Sequence, residues 1–79
     1  MIKAYILLIT YVGNLKAVLE ELRKLDHIES ISVVAGDYDI IVKARVDALE
    51  DLMTLTDNIH AIKGVKRTNT QVIEKEIEV

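Results

Sequence analysis

The chain has no cysteine, proline, tryptophan or phenylalanine, and only three glycines and three tyrosines in 79 residues. Without cysteine there is no disulfide to staple a small fold and no thiolate-based metal site. The same absence suits a reducing compartment. Basic charge is not in excess either: ten Lys and Arg stand against thirteen Asp and Glu, a net charge of −3, and the cations are scattered. Proteins that bind nucleic acid carry a basic stripe, so direct contact with DNA or RNA is not expected. The longest apolar stretch, Ile2–Ile9, is interrupted by Lys3 and is far shorter than the roughly 20 residues that cross a bilayer as a helix. No charged-then-apolar leader pattern opens the sequence. The chain is expected to be soluble and cytoplasmic, with no membrane partner.

What remains is 51% hydrophobic and ordered by clear periodicities. Its length suits a single domain over residues 1–79. A chain this short buries only roughly 60% of its unfolded surface, so self-association is the simplest source of extra burial. Residues 2–10 form a β-branched run too short for a helix. Val12-Gly13-Asn14 breaks it, with Asn14 as a helix cap. Leu15, Val18, Leu19, Leu22 and Leu25 then recur at helical spacing, ending at Asp26-His27. A second strand is predicted over 28–35 and a third over 39–46. Asp47 is expected to cap a second helix whose buried stripe is Leu49, Leu52, Met53, Ile59 and Ile62, stopped by Gly64. A fourth strand follows from Val65 to about Ile73.

The order β-α-β-β-α-β predicts an α+β, ferredoxin-like fold: a four-stranded antiparallel sheet, strands one and three central, both helices on one face. The first strand is apolar in both registers, with Ile2, Ala4, Ile6 and Leu8 on one face and Tyr5, Leu7 and Ile9 on the other. Helices cover only one of those faces. The other is expected to meet a second copy, a sheet-on-sheet dimer of the dimeric α+β barrel type.

Enzymatic candidates are sparse. His27 and His60 lie far apart, and neither has a second ligand at metal-binding spacing. Ser30 and Ser32 have no neighbouring base, and Lys43 and Arg45 suit ion pairs along a sheet. Asp37 and Asp39 sit in a solvated turn that would not raise a carboxylate pKa for acid–base work. No catalytic residue, metal site or cofactor is assigned.

Two polar clusters stand out. Val33–Lys43 is a hairpin signal, two β-branched runs around Gly36-Asp37-Tyr38-Asp39. Such a turn combines backbone N–H groups with carboxylates, both halves of what a small zwitterion needs. The second cluster is Arg67-Thr68-Asn69-Thr70-Gln71, with Thr68 and Thr70 on one sheet face and Asn69 and Gln71 on the other. As turn chemistry and strand propensity, either cluster has an ordinary structural explanation. Together, with Val-Val-Ala-Gly-Asp-Tyr-Asp-Ile-Ile-Val-Lys at 33–43 and Gly-Val-Lys-Arg-Thr-Asn-Thr-Gln-Val-Ile at 64–73, they give a pattern that resembles the RAM domain. This is the effector-sensing half of the Lrp/AsnC transcription regulators.

The resemblance covers essentially residues 2–75, with Lys63 where the family usually has proline. Family regulators carry an N-terminal helix-turn-helix, whereas this sequence opens at strand one and resembles a stand-alone RAM protein. It implies dimers paired by their sheets and joined into rings, with an amino-acid effector bound between dimers. By the same analogy Gly36, Asp37, Tyr38 and Asp39 supply donors and the ammonium acceptor, Asp39 foremost. Thr68, Thr70 and Gln71 supply the strand-four part, and Ala35 and Leu49 shape the side-chain pocket. The implied role is a non-enzymatic amino-acid-binding regulatory module that oligomerises and co-assembles with full-length Lrp/AsnC regulators. Two other classes share the element order. One is a small monooxygenase with a cavity between sheet and helices, usually furnished with His, Trp, Asn or Phe. The other is an ACT-type sensor that would bind through the Val12–Asn14 loop.

Overall fold

The computed structural model describes residues 1–79. Its elements are β1 (Ile2–Thr10), α1 (Leu15–Leu22), β2 (Ile28–Val33), β3 (Ile40–Val46), α2 (Leu49–His60) and β4 (Val65–Val72). The sheet order is β2-β3-β1-β4, antiparallel throughout, with β1 and β3 in the centre. The two apolar registers of β1 fall on opposite faces of the sheet, as strand alternation dictates. Ala4, Ile6 and Leu8 are fully buried beneath the helices, as are Ile40, Val42, Ala44 and Val46 of β3. Val18 and Leu22 of α1, with Leu52, Leu55 and Ile59 of α2, close over them. Each large side chain of this kind contributes about 1.5–3 kcal/mol on burial.

The helices depart from the predicted pattern in instructive ways. Regular helix ends at Leu22. Leu25 is reached by tighter bonds, its N–H donating to the Leu22 carbonyl at 3.1 Å, and packs half-buried against the core. His27 then reverses the chain at φ 73°, and its carbonyl accepts from the Arg45 N–H at 2.9 Å. In α2 the core phase is Leu52, Leu55 and Ile59. Leu49 and Met53, expected inside, are 58% and 60% exposed, because a helix 100° per residue turns i and i+4 positions off the i+3, i+6, i+10 line that meets the sheet. Neither predicted cap bonds its helix through the side chain: Asp47 lies before the Ala48 N-cap, and Asn14 caps α1 through its carbonyl, which accepts from the Val18 N–H.

The β1–α1 and α2–β4 turns meet at one end of the sheet. The Tyr11 N–H donates to the Gly64 carbonyl at 2.9 Å. Gly64 sits at φ 104°, where a Cβ would stand 2.8 Å from the Asn14 Cβ, so only glycine fits both the backbone and the approach.

Candidate functional site

The hairpin between β2 and β3 closes one residue earlier than expected. The Val34 N–H donates to the Asp39 carbonyl at 2.9 Å, leaving Ala35–Tyr38 as a four-residue loop. Gly36 lies at φ 159°, near the extended region, and no heavy atom lies within 4 Å of where a Cβ would project. The loop backbone is open to solution there. Ala35, Gly36 and Asp37 are exposed, whereas Tyr38 and Asp39 are half-buried.

Asp39 does more than sit in a solvated turn. Its Oδ2 accepts from the Thr10 N–H at 2.8 Å and from the Thr10 hydroxyl at 3.4 Å. Its own N–H donates to the Leu8 carbonyl at 2.9 Å. The residue ties the start of β3 to the end of β1, and no hydrogen bond occupies its other carboxylate oxygen. Thr10 is a partner that strand-by-strand reading missed. Its position beside the turn follows only from the β1–β3 register.

That register also places the second cluster. Ile40, Leu8 and Thr68 share one cross-strand row; Val42, Ile6 and Thr70 share another. Thr68 and Thr70 therefore lie on the helix-covered face, Thr68 half-buried and Thr70 exposed. Gln71 lies on the open face opposite Tyr5, its Nε2 donating to the Asn69 Oδ1 at 2.6 Å. Two strand spacings, about 10 Å, separate the turn from Thr68, with β1 between them.

Leu49 starts α2 just beyond the far end of β3, roughly 20 Å from the turn at strand rise. Asp51, Thr54 and Asn58 face the segment that follows α1, Lys24, Leu25, Asp26 and His27, across a cleft of about 300 Å³. Leu49 and Met53 consequently occupy the opposite flank of α2, the side of edge strand β4. Val72 and Thr70 lie on the same sheet face at that end, Val72 being 50% exposed. Within one chain the predicted residues divide into two groups. Ala35–Asp39 form one at the turn, and Leu49 with Thr68 and Thr70 form another along the α2–β4 flank. Gln71 belongs to neither, because it faces the other side of the sheet.

The remaining candidates resolve simply. His27 and His60 are both exposed. Arg45 Nη1 lies 3.9 Å from Glu29 Oε2, and Lys43 Nζ lies 2.8 Å from Glu76 Oε2. In the Val12–Asn14 loop the Asn14 N–H is engaged by the Tyr11 carbonyl and the Asn14 Nδ2 by the Val12 carbonyl. Between sheet and helices, where a small monooxygenase would hold its substrate, the centre is filled by buried core side chains. A groove of about 530 Å³ opens between the end of α1 and edge strand β2, lined by Leu19, Leu22, Leu25, Ile28, Ile31 and Val33 with no histidine among its walls.

Comparison with known proteins agrees with this fold. The family profile of the Lrp/AsnC ligand binding domain matches residues 3–78. The HTH-type transcriptional regulator FL11 of Pyrococcus furiosus is 34% identical over 74 residues, 94% of this chain and 49% of that protein. The chain thus spans about half the length of the curated relatives it matches first. A homocitrate synthase of Sulfurisphaera tokodaii is 33% identical over 61 residues, covering 77% of this chain and 13% of the enzyme. Among solved structures, that of FFRP-DM1 superposes with a TM-score of 0.86 at 34% identity, covering 92% of this chain and 99% of that one. The chain belongs to the Lrp/AsnC ligand-binding domain family.

Proposed function

We propose that the chain is a non-enzymatic, cytoplasmic amino-acid-binding module that oligomerises and modulates transcription by co-assembling with full-length Lrp/AsnC relatives. One observation carries the site assignment: the turn Ala35–Asp39 and the Leu49–Thr70 flank are complementary halves kept apart within the chain. The turn offers open backbone and a free carboxylate oxygen for an α-ammonium. The flank offers two hydroxyls beside exposed apolar side chains, suited to a carboxylate and a side chain. A small zwitterion cannot span 10 Å or more, so one ligand touches both only where two chains meet. On this reading each site is composite, the turn from one chain and the flank from another.

The wider family setting supports a sensing role. Relatives of this domain are joined to a DNA-binding regulator in one case and to an enzyme in another. Detection of a small molecule is a role both hosts can use.

The pairing surface is the open sheet face. Tyr5, Leu7, Ile9 and Ile41 form its apolar centre, ringed by Ser30, Ser32, Lys43, Arg67, Asn69 and Gln71. An apolar centre with a polar rim is the usual anatomy of an interface.

A thermal-shift screen across the amino acids tests the proposal. A ligand at a hundredfold excess over its Kd stabilises the native state by about 2.7 kcal/mol. A rise in Tm with one or a few amino acids supports it. Silence from all of them at millimolar concentration contradicts it.

A further inference from the structure

The segment after β4 does not trail into solution. The Ile73 N–H adds one more rung to the sheet, donating to the Lys3 carbonyl at 2.9 Å. Three residues on, the Glu76 carboxylate straddles two strands: Oε1 lies 3.2 Å from Lys3 Nζ on β1 and Oε2 lies 2.8 Å from Lys43 Nζ on β3. Lys3 pairs with Arg45 and Tyr5 with Lys43 in the β1–β3 register, so both lysines belong to the open face. The tail therefore leaves edge strand β4, crosses β1 and is anchored over the open face. Ile77, the next residue, is 72% exposed.

Beside the anchor the same face has a depression of about 310 Å³ formed by Tyr5, Leu7, Ile41 and Gln71. It is walled mainly by apolar side chains, and nothing within the chain fills it. An outward apolar knob and an unfilled apolar hollow on one face are self-complementary, which a two-fold pairing requires.

We propose that the latched C-terminal tail is part of the pairing surface, with Ile77 of one chain seated in the Tyr5–Leu7–Ile41–Gln71 hollow of a second copy. Glu76 is the positioning residue. By clamping the tail to Lys3 and Lys43 it presents Ile77 in a fixed place and lowers the ordering cost of association. Val79 extends the apolar contact beyond the hollow.

This inference rests on pairing through the open face, and the two are separable by sedimentation or light scattering of four proteins. Leu7→Asp places a carboxylate in the centre of the face and tests pairing itself. Ile77→Asp and a chain ending at Ile73 test the knob, and Glu76→Gln tests the latch. The expected result is monomer for Leu7→Asp and dimer dissociation constants weakened on the order of ten- to hundredfold for Ile77→Asp and the truncation. Glu76→Gln is expected to weaken pairing less, and to remove most of its sensitivity to added salt. If Leu7→Asp dissociates the dimer while Ile77→Asp and the truncation pair as tightly as the parent, or more tightly, the knob is wrong and the open face stands. If Leu7→Asp leaves the dimer intact, the open-face reading itself is wrong and the knob falls with it.

Discussion

Three residues do work that their side chains alone would not announce. Asp39 carries a charge-assisted bond to the Thr10 N–H, so it is structural as well as a candidate ligand group. Asp39→Ala should cost about 1.5–3 kcal/mol of stability with no ligand present, whereas Asp39→Asn keeps an acceptor and should cost less than about 1.5 kcal/mol. Chemical denaturation of the two variants checks the difference. Gly64 is fixed by its φ and by the approach of Asn14. Gly64→Ala should lose about 1–3 kcal/mol, read in the same experiment. Glu76 is held below the ordinary carboxylate range by its hydrogen bonds to Lys43 and Lys3, and Lys43 is raised by its hydrogen bond to Glu76. A depressed acid stabilises the bound form above its ordinary pKa and loses that contribution as pH falls through the lowered value. The raised lysine acts at the other end, keeping its share until pH climbs past the ordinary lysine range. The tail should thus stay latched across neutral pH and come free in acid, and again in strong alkali once the lysines deprotonate, visible as onset of fast motion in 15N relaxation of residues 74–79. A tail already mobile at neutral pH and low salt would contradict the latch.

At the level of elements, β1 shows why the fold was legible in the sequence. Its two apolar registers are a period-2 signal on both faces, and the β-α-β-β-α-β order constrains where such a strand can lie. The structure puts it at the centre, against β3 and β4. The two registers now predict different outcomes. Ile6 is fully buried, and Ile6→Asp should unfold the chain, with a loss of about 4 kcal/mol or more. Leu7→Asp lies on the open face and should leave a folded monomer. Circular dichroism and light scattering together distinguish them. Helix α2 was harder to read. Leu49, Leu52, Met53, Leu55 and Ile59 allow more than one apolar phase, and only packing selects Leu52, Leu55 and Ile59. Leu55→Ala is therefore expected to cost about 2–5 kcal/mol, and Met53→Glu within about 0.5 kcal/mol. The bond from Asp39 to Thr10 and the reach of Glu76 to two strands were invisible for a further reason. Both join residues far apart in sequence, 29 apart for the first pair, and no periodicity encodes such contacts.

For the whole molecule, net charge −3 and the absence of a basic stripe predict no tight binding of this chain to duplex DNA at physiological salt. A gel shift with a steep salt dependence would contradict that. The central claim is that the amino-acid site is shared between chains, because the turn and the α2–β4 flank cannot reach one ligand within a subunit. Co-expression of two binding-deficient variants, Asp39→Asn and Thr70→Val, tests it most directly by calorimetry with the amino acid identified in the thermal screen. If each site takes its turn from one chain and its flank from another, random mixing restores both intact halves in about one quarter of the sites. The account predicts recovery of that fraction at parental affinity. No recovery in demonstrably mixed assemblies, with each variant alone still silent, would place the whole site within a single chain and contradict the account.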